Sequence, residues 1–266
     1  MTRQQLINHI KQKKSYLCVG LDTGIEKIPI HLRSNADAIF EFNKQIIDAT
    51  LDVCVAFKIN TAFYEAMGIK GWEALEQTVS YIPSTHFKIA DAKRGDIGNT
   101  SSQYAKGFFE VLNFDAITIA PYMGYDSIMP FLEYENKWAI VLGLTSNKGS
   151  EDFQQKKTGN DYLYEAVIKK VSEWGTRENL MFVVGATKAI DLSTVRKIVP
   201  DNFLLIPGVG FQGGSLAEVS NYGLNGDCGL LVNVSRAIIY AGKDENFAKQ
   251  SRIIAQQYQT EMMSYL

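Results

Sequence analysis

The chain has 266 residues, 46% of them hydrophobic, and 27 Lys and Arg against 29 Asp and Glu give it a net charge of −2. Roughly 250 residues is a common size for one large α/β domain, and a second catalytic domain does not fit beside it. The balanced charge excludes a global field for nucleic acid or an acidic membrane, so an anion must be bound by a local site.

The segment Thr2–Lys14, TRQQLINHIKQKK, reads as a polar amphipathic helix without the apolar core of a signal peptide. Thr2 and Gln5 stand at capping-box spacing, and we expect this helix to close the floor of the fold. Short apolar or β-branched runs then recur at 17–21, 53–59, 86–90, 115–119, 138–143, 180–184, 203–207 and 229–234. Between them Ile39/Phe42/Ile46 and Trp72/Leu75/Val79/Ile82 repeat at helical intervals, as do Phe247, Ile254 and Tyr258 after a cap expected at Asp244. Near-continuous apolar strands alternating with helices imply parallel strands covered by helices. Eight such units favour a closed barrel over an open doubly wound sheet. The expectation is a single domain over 1–266, a (β/α)8 TIM barrel with an extra N-terminal helix.

One loop is long and polar, Thr145 to Asp161, and reads either as a lid or binding loop or as a passive insertion. No apolar run approaches the roughly 20 residues of a membrane span. Cys18, Cys54 and Cys228 form no CxxC pair and read as buried, reduced thiols. His9, His31 and His86 show no metal-binding spacing, so no metal is expected. These features together predict a soluble, cytoplasmic protein.

The third run leads straight into charge, in HFKIADAKRGDIGNT. Asp91 and Lys93, two apart on a strand, should share a side at the C-terminal mouth, where barrels house their chemistry. Asp22 ends the first run and Lys58 the second, so both converge there. A salt-bridge layer that plugs the mouth is the alternative for one such pair. Four groups of alternating sign at strand ends point instead to a functional site, because buried charge is costly unless paired. Near the last two strands stand LLIPGVGFQGGS and LLVNVSRAII. Gly210 and its neighbouring glycines let backbone N–H groups approach an anion, while Gln212 can donate an amide and Arg236 a planar fork to phosphate. A plain turn is the other reading of a lone GxG.

The triplet Asp91-x-Lys93-x-x-Asp96 with Lys58 upstream resembles the charged tetrad of the orotidine 5′-monophosphate decarboxylases. FKINTAFYEAMG, DAKRGDIGNT, APYMG and TSNKGS are similar to the longer bacterial branch of that family, and the resemblance spans Asp22 to Arg236. Ala120 before PYMG and Lys148 after TSN depart from the Asn and Pro of that branch, away from the tetrad. The resemblance implies decarboxylation of orotidine 5′-monophosphate (OMP) to uridine 5′-monophosphate (UMP) without a cofactor. It implies that Lys93 stabilises and protonates a C6 carbanion, that Asp91 lies near the substrate carboxylate, and that Asp96 and Lys58 fix the other two. It also places Ser146 at the pyrimidine edge, Lys58 and Asp22 near the ribose, and Ile97 and Thr100 in the second subunit of a homodimer with shared sites. The rivals are a sugar-phosphate aldolase, decarboxylase or epimerase sharing DxKxxD, and a non-catalytic nucleotide-phosphate sensor. Mg²⁺-using relatives of the first kind carry an acidic ligand where this chain has Lys58, which repels a divalent cation.

Overall fold

The structure, a computed structural model, describes residues 1–210 and 213–266. Eight parallel strands close into a barrel: β1 (Leu17–Gly20), β2 (Ala56–Asn60), β3 (Phe87–Arg94), β4 (Ala116–Ile119), β5 (Trp138–Leu144), β6 (Leu180–Val184), β7 (Leu204–Pro207) and β8 (Leu230–Val234). Each pairs with its neighbours in sequence, and β8 meets β1 through Leu17 with Val232 and Val19 with Val234. Every expected strand is present, because Val, Ile and Leu runs buried on both faces have no alternative to the middle of the sheet.

The ends differ from expectation for identifiable reasons. Val53, Cys54 and Val55 are buried but precede β2; the Lys13 ammonium covers this lead-in by donating to the Leu51 and Cys54 carbonyls. In the other direction β3 runs past its apolar stretch to Arg94, which pairs with Ile119 of β4.

Helices follow the strands: α2 (Ala38–Thr50), α3 (Ile69–Tyr81), α4 (Gly98–Lys106), α5 (Tyr125–Leu132), α6 (Leu163–Ser172), α7 (Leu192–Ile198), α8 (Leu216–Gly223) and α9 (Phe247–Met263), with α1 (Arg3–Lys13) ahead of the barrel. In α2 the expected face, Ile39, Phe42 and Ile46, is buried. In α3 Leu75 and Val79 are buried, but Trp72 is 40% exposed. Gly71 takes the closest approach instead, since a Cβ there would lie 1.7 Å from the Tyr64 carbonyl oxygen. Trp72 therefore sits one step round the helix. The cap of α9 also differs: Asn246 occupies that position, while Asp244 accepts the Asn246 N–H at 2.8 Å in the turn before it.

The opening helix forms with the reciprocal Thr2–Gln5 box. It crosses the N-terminal end of the barrel, where the Met1 carbonyl accepts from Trp138 Nε1 at 2.8 Å and Arg3 reaches Asp227 and the Asp201 carbonyl, both at 2.9 Å. Beneath it Trp138 packs edge-on against Phe87 and Phe203. The floor is thus solid, which leaves the opposite end for a site. The loop expected at 145–161 contains a 3-10 turn (Lys148–Asp152) and a two-residue hairpin pairing Lys157 with Tyr162. Among the described residues no helix is long and apolar enough to cross a membrane.

Arg196 of α7 ties the floor-side links together, donating to the carbonyls of Gly223, Val199, Asn202 and Gly229 at 2.6–3.3 Å. Arg196→Met strands these acceptors, and we expect a loss of about 3 kcal/mol in denaturant unfolding. A loss below about 1 kcal/mol would mean that water replaces the guanidinium without cost.

Candidate active site

At the C-terminal ends of the strands lies a cavity of about 310 Å³ to which every barrel strand, or the residues leaving it, contributes. That volume suits a small-molecule site, and the position is where barrels carry chemistry. Of the residues expected from sequence, Asp22, Lys58, Asp91, Lys93, Ser146 and Arg236 line it.

Its wall is an alternating chain of charge. Lys58 rises from β2 and is 4% exposed, with Nζ 2.8 Å from Asp91 Oδ2 and 3.4 Å from Asp22 Oδ1. Lys93 Nζ lies 2.5 Å from the other Asp91 oxygen, Oδ1. Burial alone would lower the Lys58 pKa, but Asp22 and Asp91 outweigh it and hold the ammonium well above the usual lysine range. Burial likewise works against the Asp91 carboxylate, yet Lys58 and Lys93 hold it well below the usual carboxylate range. Asp91 therefore stays ionised with a cation on each oxygen.

Lys93 reaches this place through a distortion rather than a plain pleat. Its φ is +46°, and the β3–β4 register slips between Ala90 and Arg94. A left-handed lysine costs roughly 1–2 kcal/mol, and such strain persists only where the surroundings enforce it. Two contacts do so here. The Lys93 N–H donates to Thr118 Oγ1 at 2.9 Å. The next residue, Arg94, pairs with Glu65, donates to the Ala92 carbonyl at 3.1 Å and lies over the rings of Tyr104 and Phe108.

Thr118, whose hydroxyl also donates to Asp91 Oδ1 at 3.1 Å, is a site residue that the sequence reading missed. Its signal was faint: one hydroxyl in the otherwise aliphatic strand AITI. Asn43 of α2 was missed too. It accepts from Thr23 at 2.7 Å and donates to Tyr64 at 2.8 Å, and Tyr64 donates to the Leu21 carbonyl. Tyr240 donates to the Asp22 carbonyl at 3.1 Å and accepts the Gly24 N–H. The backbone on both sides of Asp22 is thereby fixed.

Opposite the charges, Thr145, Ser146 and Asn147 leave β5 along the rim. Ser146 sits there because Gly185 has no side chain, since a Cβ at 185 would lie 2.7 Å from the Ser146 Cβ. Gln154 holds the base of the loop, accepting the Thr145 N–H at 2.8 Å. At the β7–β8 end Gly208, Val209, Ser235 and Arg236 line the cavity. Ser235 Oγ is buried with no hydrogen-bond partner among the described residues. Gly210 lies outside the lining and faces the Tyr258 hydroxyl; Gln212 falls outside the described residues.

Asp96, Ile97 and Thr100 are not brought into this cavity by their own chain. The Asp96 carboxylate accepts the Ile97 N–H at 2.8 Å and its carbonyl accepts from Ser101 at 2.6 Å, while Ile97 is 56% exposed. Among the described residues no group of three or more His, Cys, Asp or Glu is placed to hold a metal ion. The three cysteines are buried, and burial pushes the Cys54 and Cys228 thiols up to about 12, away from nucleophilic use.

The depressed Asp91 pKa has a signed consequence for stability. Its contribution is present above the unfolded value, about 4, and is lost as pH falls below that toward the folded value. The difference in unfolding free energy between wild type and Asp91→Asn should be level from pH 8 to about 5, then move against the wild type below about pH 4. A difference that stays level on acidification would contradict the ionised, doubly paired carboxylate.

Comparison with known proteins identifies the family. Residues 15–251 match the model of the Orotidine 5′-phosphate decarboxylase / HUMPS family. An orotidine 5′-phosphate decarboxylase of Phocaeicola vulgatus is 59% identical over 266 residues, covering 98% of each chain. An OMP decarboxylase structure from Leishmania donovani superposes with a TM-score of 0.83 at 38% identity, covering 98% of this chain and 99% of that one. The UMP synthase of the same organism gives 0.85 at 40% identity, with 97% of this chain corresponding to 57% of the longer protein. The chain belongs to the orotidine 5′-phosphate decarboxylase family.

Proposed function

We propose that this chain decarboxylates OMP to UMP in pyrimidine nucleotide synthesis, using the charges of the cavity wall and no cofactor. The observation that carries the reading is the run Lys58–Asp91–Lys93 on the adjacent strands β2 and β3, with Asp91 held ionised between two ammonium groups. The full-length likeness to orotidine 5′-phosphate decarboxylases supports OMP as the substrate.

In this reaction the C6–carboxylate bond breaks, CO2 leaves, and the electron pair stays on C6 with no neighbouring carbonyl to delocalise it. The protein must stabilise that charge electrostatically. The Lys93 ammonium attracts the developing carbanion and then gives its proton to C6, and solvent restores the proton. The substrate carboxylate beside the ionised Asp91 is repelled, and the repulsion disappears with CO2. Both effects favour the transition state over the ground state, which is the condition for raising kcat. Opposite charges about 4 Å apart interact by roughly 4 kcal/mol at an effective dielectric near 20, enough to keep the wall in register.

The remaining contacts orient the nucleotide. Arg236, with Ser235 Oγ and the Gly208–Val209 backbone after β7, receives the phosphate, and by the family resemblance Gly210 and Gln212 join them. Ser146 meets the pyrimidine edge, and Asp22 and Lys58 meet the ribose. Asp96, Ile97 and Thr100 act in the site of a second copy of the chain. The exposure of Ile97 and Thr100 supports this, with Asp96 half-buried beside them, together with exposed Tyr122, Met123 and Tyr125 around the start of α5, which packs on α4. Lys58 on β2 speaks against the aldolase-like alternative, since it repels the divalent cation such chemistry uses.

Purified protein should bleach the absorbance of OMP as UMP accumulates, with or without chelator. Lys93→Ala should abolish turnover while still binding UMP, and Arg236→Ala should mainly raise KM. Near-normal turnover in Lys93→Ala would sink the mechanism, and EDTA inhibition reversed by Mg²⁺ would favour the aldolase-like reading.

The shared site has its own test. Lys93→Ala and Asp96→Ala homodimers should each be nearly inactive. Random co-assembly makes half the dimers mixed, each with one intact composite site, so activity should recover to roughly 25% of wild type. Mixed dimers that form without recovery would place Asp96 in its own subunit's site.

A further inference from the structure

Resting on that reading of the cavity, we propose that Thr118 is a positioning residue for the decarboxylation, holding Asp91 and Lys93 in place while the charge of Lys93 changes. Thr118 is 1% exposed and borders the cavity from β4. Its oxygen accepts the Lys93 backbone N–H at 2.9 Å, which leaves its own proton to donate to Asp91 Oδ1 at 3.1 Å. One hydroxyl thus joins the backbone of the proton donor to the carboxylate that orients the donor's side chain. It is mounted on regular sheet, since Thr118 pairs with Ile140 of β5 and its neighbour Ile117 with Ala90 of β3.

The need for such a group follows from the proton balance. Before transfer, Asp91 Oδ1 faces the Lys93 ammonium at 2.5 Å and Oδ2 faces Lys58 at 2.8 Å. When Lys93 passes a proton to C6 it becomes a neutral amine, and the pull on Oδ1 loses its ionic part. Lys58 still draws the other oxygen. Without a second donor on Oδ1 the carboxylate is free to turn toward Lys58, and the amine loses the acceptor that aims it. Thr118 carries no charge and does not change through the cycle, so its bond to Oδ1 survives the transfer. Its bond to the Lys93 N–H meanwhile keeps the left-handed backbone from relaxing to an extended one, which would swing the side chain off the cavity wall.

Thr118→Val keeps the shape and removes both hydrogen bonds, whereas Thr118→Ser keeps the hydroxyl. We expect Thr118→Val to lower kcat on the order of 50-fold while KM for OMP and the UMP dissociation constant move by less than about 3-fold. Thr118→Ser should recover most of the lost kcat. If the valine protein does not fold, Thr118→Ala against Thr118→Ser makes the same comparison, with UMP binding reporting the folded state. A hydroxyl-free variant within about two-fold of wild-type kcat overturns the proposal. So does a serine variant that binds UMP normally yet is as slow as the valine one. A wild type inert toward OMP overturns the reaction assignment and this proposal together, whereas an active wild type with an unaffected valine variant overturns the proposal alone.

Discussion

A carboxylate with an ammonium on each oxygen cannot move without disturbing both, and in this barrel that carboxylate is Asp91. Lys58 holds one side of it and Lys93 the other, and Asp22 extends the chain beyond Lys58. The members come from three neighbouring strands, Asp22 after β1, Lys58 on β2 and Asp91 with Lys93 on β3, so the charges are set by the barrel's own register. Separated, Lys58 and Asp91 would meet the desolvation cost of a buried ion; together they satisfy one another, with the half-exposed Lys93 on the second oxygen of Asp91. The same pairing leaves Asp91 ionised and Lys58 cationic, a fixed field at the place where the proposed reaction develops charge.

Much of the remaining structure serves to hold that field still. The floor is sealed by α1 and by aromatic packing around Trp138, so the barrel opens at one end. On the open side, the left-handed backbone of Lys93 is balanced by Arg94 and Thr118. The loop carrying Asp22 is fixed from behind by Asn43, Tyr64 and Tyr240. None of these supporting groups belongs to the charged wall, yet each sets where one of its members stands. A site that works by electrostatics needs this rigidity, because a field that reorganises during the reaction loses its advantage.

The strands were legible because a parallel barrel strand must be apolar on both faces, and that pattern survives in a single sequence. Their ends were less so. Val53 to Val55 are as apolar as the strand they lead into but lie under the floor helix, and β3 continues into Asp91, Lys93 and Arg94 on the strength of pairing with β4. Trp72 follows the helical spacing and is still exposed, because the glycine before it makes the close approach. Charged members of the site announced themselves by sitting where apolar runs stop. Thr118 and Asn43 did not, since a threonine in a strand and an asparagine in a helix are ordinary until their partners are known. Asp96 was legible as part of a motif, but the fold of one chain gives it no place in the cavity.

On the proposed mechanism the wall stabilises a carbanion at C6, and Lys93 exchanges the proton there. Since proton delivery is reversible, the protein should also remove hydrogen from C6 of UMP. Proton NMR of UMP incubated with the protein in D2O should therefore show slow loss of the H6 signal. With Lys93→Ala, under conditions where UMP remains bound, the signal should persist. Exchange that continues at the wild-type rate without the Lys93 ammonium would contradict the account.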